Sequence, residues 1–587
     1  MHIWKIGTAT AAAASLVVAA APLVMADTGA AAPPDTAKYT GQTLAWGKCT
    51  FKSTGPAVVC ASMTVPRDWA DPAAGSDLQV YVSKVAATGA KDDYQGIIVT
   101  NPGGPGGQGT SLAASIAQLE PSLNQRYDVL GMDPRGTGQS GATGSAGTGL
   151  TCPVPIDRLP TGPLDARDRS RASVREHQKT PRAVAEACQS LAVTPYITTW
   201  QTAHDMDLLR RLSKADKLNY LGYSYGTWLG AKYTSLFPAT TGRVVLDSSV
   251  DWQGRLQADF EDFPRMGQRQ TDQVFLPWLT RVAPEIVGTT TAAAKQAVER
   301  ARANAAAAGL DGDSVDSLFA GNGSQIRWVL VLIVLQTLLA DDETDRARTA
   351  AHLSKPIRTQ LDEIAKDRFG VPAAKVTPKL LVAKKLGLPE LAVDYANAPL
   401  TRYAVACGDQ PTKSTNWYKA LSDFQGPRYP IFGWQYGLNE VCGPWTDEPR
   451  QHLPNLPASV RSKVLVVQGE FDPQTSYEQA MSAVKKAPGV NVLRVDDAAF
   501  HGQYAIQGNP CVDGIVNSYF LNGAVPRNSN CSSVPLLGED SVHPVKGPVD
   551  DYLGGHRSPA AKPLLTTLDD TLRRLVGDQL STVNSQR

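Results

Sequence analysis

Gly222-Tyr-Ser-Tyr-Gly226 is the only complete Gly-x-Ser-x-Gly run in the chain. A strand-like run, Lys217 to Leu221, precedes it and a helix-like run, Trp228 to Phe237, follows. On a sharp strand-to-helix turn, small residues two places before and after a serine make room for strained backbone and expose the hydroxyl. The same geometry aims the backbone N–H of Tyr225 at the place where an oxyanion would form. The chemistry implied is attack of Ser224 on a carbonyl. The bland alternative is a tight glycine turn that happens to hold a serine.

The partners that such a serine needs occur later, in the order Ser, Asp, His. An apolar run, Lys463 to Gln468, leads into Gly469-Glu-Phe-Asp-Pro-Gln-Thr475, which presents Asp472 at the end of an expected strand. A third run, Asn491 to Val495, leads through Asp496 and Asp497 to Phe500-His-Gly502. His501 in this place would take the proton from Ser224 and return it to the leaving group. Asp472 would hold the imidazole tautomer. The other seven histidines are placed worse. His2 lies in a leader, His177 and His204 precede the serine, and His352 and His452 precede Asp472. His543 and His556 follow a cysteine-bounded loop with no strand in front.

A second glycine-rich loop, Gly104-Pro-Gly-Gly-Gln-Gly109, fits the dinucleotide pattern G-x-G-x-x-G, with Asp133 near the place of a ribose-binding acid. Pro105 removes one N–H that would approach a pyrophosphate. That reading also leaves the serine, acid and histidine unexplained. The loop after an early strand fits better as the second half of an oxyanion hole.

Three segments together, Asn101-Pro-Gly-Gly-Pro-Gly-Gly107, Tyr127 to Gly138 and Gly222 to Thr227, resemble the proline iminopeptidase group of α/β-hydrolases. Within it, the likeness is greatest to the secreted bacterial tripeptidyl aminopeptidases. The segments Asp472-Pro-Gln-Thr475 and His501-Gly502 match as well, as does the cysteine-framed start from Trp46 to Trp69. The likeness is weakest from about Asp251 to Tyr429. Pro102 stands where iminopeptidases carry histidine, a change shared by the tripeptidyl branch. The resemblance implies an α/β-hydrolase fold and release of tripeptides from free amino termini. It also implies Gly104 and Tyr225 as the two oxyanion N–H donors.

A triad does not define the acyl group. A peptidase that measures from a free amino terminus must hold an ammonium in a partly buried place, and an unpaired buried charge is costly. A carboxylate near the substrate is therefore required, and Glu440, Glu261 and Asp262 are the candidates. Glu440 stands out because Cys442 would fix its loop, whereas a solvated surface acid is the ordinary reading of Glu261 and Asp262. Two rivals remain: a carboxylesterase or lipase-like enzyme with the same triad, and a catalytically silent fold that only binds.

The elements that position these residues follow from the pattern of the chain. Strand-like runs at Leu78–Val85, Gly96–Thr100, Tyr127–Asp133, Lys217–Gly222, Arg243–Asp247, Lys463–Gln468 and Asn491–Val495 alternate with helical stretches. This alternation predicts an α/β fold with a mostly parallel sheet wrapped by helices. From 251 to 429 the pattern becomes Ala-, Leu- and Lys-rich helix, which predicts a lid inserted between the strands that carry Ser224 and Asp472. The hydrolase core then comprises 39–250 and 430–587, the latter with a TAP-like carboxyl-terminal region. Trp328 to Leu335 is too short for the ~20 residues a bilayer requires and is expected to be a buried lid helix. A last helix is expected to dock through Leu564, Leu568, Leu572 and Leu575.

Residues 1–26 read as a secretory signal, with an apolar run from Ala11 to Val24 and cleavage after Ala26. Residues 27–38 read as a pro-segment or linker. The expected product is secreted, with no stable membrane insertion. Over 587 residues the net charge is +1, so nothing draws the chain broadly to nucleic acid. The partner expected is a peptide substrate, with no cofactor. The eight cysteines form no Cys-x-x-Cys pair and there is no His-Glu-x-x-His run, which argues against zinc. An even count in an exported chain favours disulfides. Spacing leaves about 105 pairings open, and the expectation is neighbour pairing: Cys49–Cys60, Cys152–Cys188, Cys407–Cys442 and Cys511–Cys531.

Overall fold

Apolar, β-branched runs make the centre of a ten-stranded sheet whose order is β1-β2-β3-β5-β4-β7-β8-β10-β11-β12. The strands are β1 (Gly47–Lys48), β2 (Val58–Val65), β3 (Leu78–Val85), β4 (Gly96–Asn101), β5 (Tyr127–Met132), β7 (Leu218–Ser224), β8 (Thr241–Ser249), β10 (Val464–Gly469), β11 (Asn491–Asp496) and β12 (Ser529–Ser532). From β5 to β12 every neighbouring pair in this sheet is parallel, and β1, β2 and β3 add an antiparallel edge. The computed structural model describes residues 36–53, 55–140, 149–319, 322–388, 397–524, 528–553 and 567–585. The expected signal, 1–26, and residues 27–35 of the expected linker lie outside them. The linker's last residues run into a short helix, Ala37–Thr40.

Central strands of a parallel sheet are covered on both faces, so both side-chain sets must be apolar. All six residues of β10, Val-Leu-Val-Val-Gln-Gly, are buried. Alternation then divides the sheet between two cores. Tyr220, Val244, Leu246, Val464, Val466 and Val492 join one cluster. Leu221, Tyr223, Val245, Leu465, Val467 and Leu493 join the other. Because β7, β8, β10 and β11 run the same way, Ser224, Asp472 and His501 all lie at their carboxyl ends, where open α/β sheets bind ligands.

β8 and β10 are neighbours in space, yet the chain between them makes a long helical excursion. A separate apolar cluster takes in residues from Val274 to Leu388 and includes Phe471, Ala499 and Phe500, which flank the loops of Asp472 and His501. Its spine is the helix Gln325–Leu339, buried from Ile326 to Leu338. The Trp328 ring meets that of Phe500 edge-on at 4.9 Å. No helix among the described residues is long and apolar enough to cross a membrane. Beyond this cluster, Ala398, Leu400 and Tyr403 join the main core instead, and β9 (Asn397–Pro399) pairs with β6 (Thr151–Pro153).

All eight cysteines are bonded, each to its neighbour in sequence: Cys49 to Cys60, Cys152 to Cys188, Cys407 to Cys442 and Cys511 to Cys531. Four disulfides fit a chain that matures in an oxidising compartment.

The terminal helix, Thr567–Ser585, differs from expectation. Leu575 is 58% exposed, whereas Val576 and Leu580 are buried and Leu572 packs against them. A spacing of four rotates the stripe slowly round one side of a helix, and a step of three from Leu572 falls outside it. Leu564 lies outside the described residues, as does the side chain of Leu568.

Candidate active site

Ser224 ends β7 and opens the helix Tyr225–Leu236 with φ +57° and ψ −128°. This backbone is costly for any residue with a side chain, and such strain persists where surroundings enforce it. The enforcement is visible on both sides. A Cβ at Gly222 would lie 2.5 Å from the Gly226 carbonyl oxygen, and one at Gly226 would lie 2.8 Å from that of Asn101. The elbow thus has no room for larger residues at the two glycine positions of the motif.

The loop after β4 presses on the serine. A Cβ on Gly103, which has φ +93°, would lie 2.9 Å from Ser224 Cβ and 3.0 Å from Tyr225 N. Gly103 N–H donates to Asn101 Oδ1 at 2.9 Å, and Gly107 N–H donates to the Gly103 carbonyl at 3.0 Å. Arg402, buried and reaching in from the long excursion, donates to the Gly104 carbonyl at 2.7 Å. Tyr225 is the first residue of its helix, so its N–H has no acceptor within that helix. The loop and the elbow meet beside Ser224, and Gly104 and Tyr225 are the candidate N–H donors. Gly103→Ala is expected to lower kcat by about 10²- to 10³-fold while substrate KM changes little, measured by steady-state kinetics. Unchanged kcat would remove this loop from the site.

Asp472 and His501 are in contact, the ring Nδ1 lying 2.9 Å from both carboxylate oxygens. Both residues are fully buried. Asp472 also accepts from Gln474 N–H at 2.8 Å, Thr475 N–H at 3.0 Å and the Thr475 hydroxyl at 3.0 Å. A carboxylate accepting this many bonds is held in one orientation. It fixes the Nδ1–H tautomer, which makes Nε2 the basic nitrogen.

Two residues that the sequence reading did not single out hold the histidine loop. The Ser248 hydroxyl accepts from Gly502 N–H at 2.8 Å. Asp247 accepts from Gln503 N–H at 3.0 Å and Tyr504 N–H at 2.7 Å. Asp247 pairs with Tyr223 across the β7–β8 ladder, one residue from the nucleophile. Burial pushes its carboxyl up to about 7. The signal available was only Asp247-Ser-Ser249 at the end of an expected strand.

Asp133 is turned away from any ligand role. It accepts from the Thr110 N–H and hydroxyl at 3.1 and 2.8 Å, and thereby fastens the helix Gly109–Leu119. Its carboxyl is pushed up to about 6 by burial.

The three acids considered for a substrate ammonium divide clearly. Glu261 is paired with Arg255 at 2.8 Å and Asp262 with Arg265 at 2.5 Å. Glu440 is half-buried and accepts from Cys442 N–H at 3.1 Å, and no ion pair reaches it among the described residues. It acts electrostatically on Arg402, the residue that grips the Gly104 carbonyl, and on Glu261. Cys407, Glu440 and Cys442 cluster closely, but the two sulfurs are bonded to each other and offer no thiolate for a metal.

Residues 96–311 match the family model described as alpha/beta hydrolase fold, and residues 429–531 match the one described as TAP-like protein. The tripeptidyl aminopeptidase of Streptomyces coelicolor is 28% identical over 496 residues, 81% of this chain and 83% of that one. The serine protease Hip1 of Mycobacterium tuberculosis is 25% identical over 524 residues, 83% of this chain and 90% of that one. A protein of the same organism named carboxylesterase B is 27% identical over 497 residues, covering 80% and 85%.

Proposed function

We propose that this chain, an α/β-hydrolase related to the tripeptidyl aminopeptidases, is an exported serine exopeptidase that releases tripeptides from free amino termini. Ser224 attacks the scissile carbonyl while His501 Nε2 takes its proton. The oxyanion is received by the N–H groups of Gly104 and Tyr225. His501, held by Asp472, protonates the leaving amine and then activates the water that frees the acyl group. The observation that carries the exopeptidase reading is Glu440: a half-buried carboxylate without a cationic partner among the described residues, linked through Arg402 to the oxyanion loop. A substrate ammonium is the cation that pairs with it directly. The fourfold disulfide framework supports export.

A carboxylesterase is the second reading, favoured by the relative of that name. The deciding experiment is a panel of free and amino-acetylated tripeptide anilides beside short acyl esters. Glu440→Gln is expected to raise KM for the free tripeptide about ten- to a hundredfold, as loss of a partly desolvated charge pair does. Acetylation of the substrate reproduces that loss in the unaltered enzyme, and the two changes together do not add. Ester turnover stays the same. Equal cleavage of free and blocked peptides would defeat the aminopeptidase reading whatever Glu440 does.

A further inference from the structure

We propose that Asp409 is a positioning residue for the oxyanion hole, fixing through Thr199 and Trp228 the first turn of the helix Tyr225–Leu236 and so the direction of the Tyr225 N–H. Asp409 directly follows the helix Leu400–Gly408 of the long excursion. It is buried and is no member of the triad. The inference rests on the serine-hydrolase reading, with the Tyr225 N–H as an oxyanion donor, and is the same for a peptidase or an esterase.

Two routes of hydrogen bonds lead from this acid to the elbow. Its Oδ2 accepts from the Trp228 indole N–H at 3.1 Å. Its Oδ1 accepts from the Thr199 N–H at 2.9 Å, and the Thr199 hydroxyl shares a hydrogen bond of 2.6 Å with the Tyr225 hydroxyl. Thr199 opens the helix Thr199–Leu212, so its N–H is one of those that no carbonyl within that helix can take. Tyr225 and Trp228 stand three residues apart at the start of the helix that Ser224 leads into. Residues at that spacing share one helix face, so both anchors act on the same side of the same turn. Thr199, Tyr225 and Trp228 are all buried. Rotation of that turn would swing the Tyr225 N–H away from Ser224, and side chains held at two points oppose it.

The contact is one that a carboxylate fits. Backbone and indole N–H groups only donate, and one of them meets each oxygen of Asp409; an ionised carboxylate accepts on both and donates nothing. Lys232, one turn beyond Trp228, lies over the Trp228 ring at 4.3 Å and donates to the Trp252 carbonyl at 2.9 Å. Burial pushes the Asp409 carboxyl up to about 6, while the bonds from Thr199 and Trp228 and the Lys232 charge pull the other way. The same segment serves the other half of the hole. Arg402, on the helix that Asp409 follows, donates to the Gly104 carbonyl at 2.7 Å. One stretch of the excursion thus braces both candidate donors.

The test compares the full chain with Asp409→Asn and Thr199→Val. Asparagine sets an NH₂ against one of the two N–H donors. For Asp409→Asn, kcat is expected to fall about tenfold, short of the roughly 10²- to 10³-fold that follows loss of an oxyanion donor itself, with substrate KM little altered. A peptidyl trifluoromethyl ketone, whose adduct with Ser224 carries the oxyanion, is expected to bind more weakly by the same factor. Thr199→Val keeps the N–H to Asp409 and removes the hydroxyl bonded to Tyr225, and is expected to move both readouts in the same direction. The double variant is expected to lose less than the product of the two losses, since one chain of bonds is cut twice. A merely structural acid would lower the thermal midpoint and leave kcat and ketone binding of the folded variant unchanged, and that result overturns the inference. Where Asp409→Asn does not fold, unchanged kcat and ketone binding in Thr199→Val overturn it equally. A loss confined to KM also overturns it. If the parent is neither inhibited by the ketone nor labelled by a fluorophosphonate, the serine-hydrolase reading itself fails and this inference falls with it.

Discussion

Ser224→Ala is expected to abolish turnover, by about 10⁴-fold or more, and to leave the fold intact. The elbow imposes its backbone whatever the side chain: φ +57° at residue 224 is set by the β7 ladder, the following helix and the tight glycine contacts around it. Alanine suffers the same backbone strain as serine there. The serine hydroxyl makes no capping bond to its helix, so its removal leaves no helix N–H orphaned. Stability and activity therefore separate in this variant. The checks are kcat/KM on an anilide or ester, a thermal melt, and loss of fluorophosphonate labelling at the peptide that contains residue 224. Near-normal turnover would mean that the nucleophile lies elsewhere.

Asp472→Asn is expected to lower kcat by about 10³- to 10⁴-fold with substrate KM little altered. The carboxylate accepts from the Gln474 and Thr475 N–H groups, the Thr475 hydroxyl and His501 Nδ1. An amide supplies one oxygen and two N–H donors in the same volume. If its oxygen stays with the two backbone N–H groups, its NH₂ faces the imidazole. Nδ1 must then accept, the ring takes the other tautomer, and Nε2 carries the hydrogen instead of the lone pair. If the amide turns the other way, two backbone donors in a fully buried loop lose their acceptor, which costs about 1–3 kcal/mol each. Both orientations harm the site, and they are told apart by the thermal midpoint, which falls only in the second. A variant with undiminished kcat would remove Asp472 from the proton-transfer machinery and transfer attention to another acid near His501.

Much of the candidate site was legible because its signals are local. An elbow is specified by five consecutive residues, and the crowding measured at Gly222 and Gly226 is a property of that turn. The apolar runs of β4, β7, β10 and β11 announce strands buried on both faces, because parallel strands lack a wet side. The shorter and more polar strands β1, β6, β9 and β12 carried no such signal. β2 went unread although its burial is substantial.

Taken by itself, then, the sequence determined the chemistry offered, namely a serine, an acid and a histidine in a fixed order at the ends of buried strands. Tertiary structure alone decided what surrounds them. Arg402 grips the Gly104 carbonyl across 298 residues of chain, and Ser248 reaches Gly502 across 254. Glu470 and Asp496 become neighbours because β10 pairs with β11. Periodicity and turn chemistry act over a few residues and are written in consecutive letters. Contacts between loops depend on strand order and register, which are settled only when apolar faces across the whole chain are buried together.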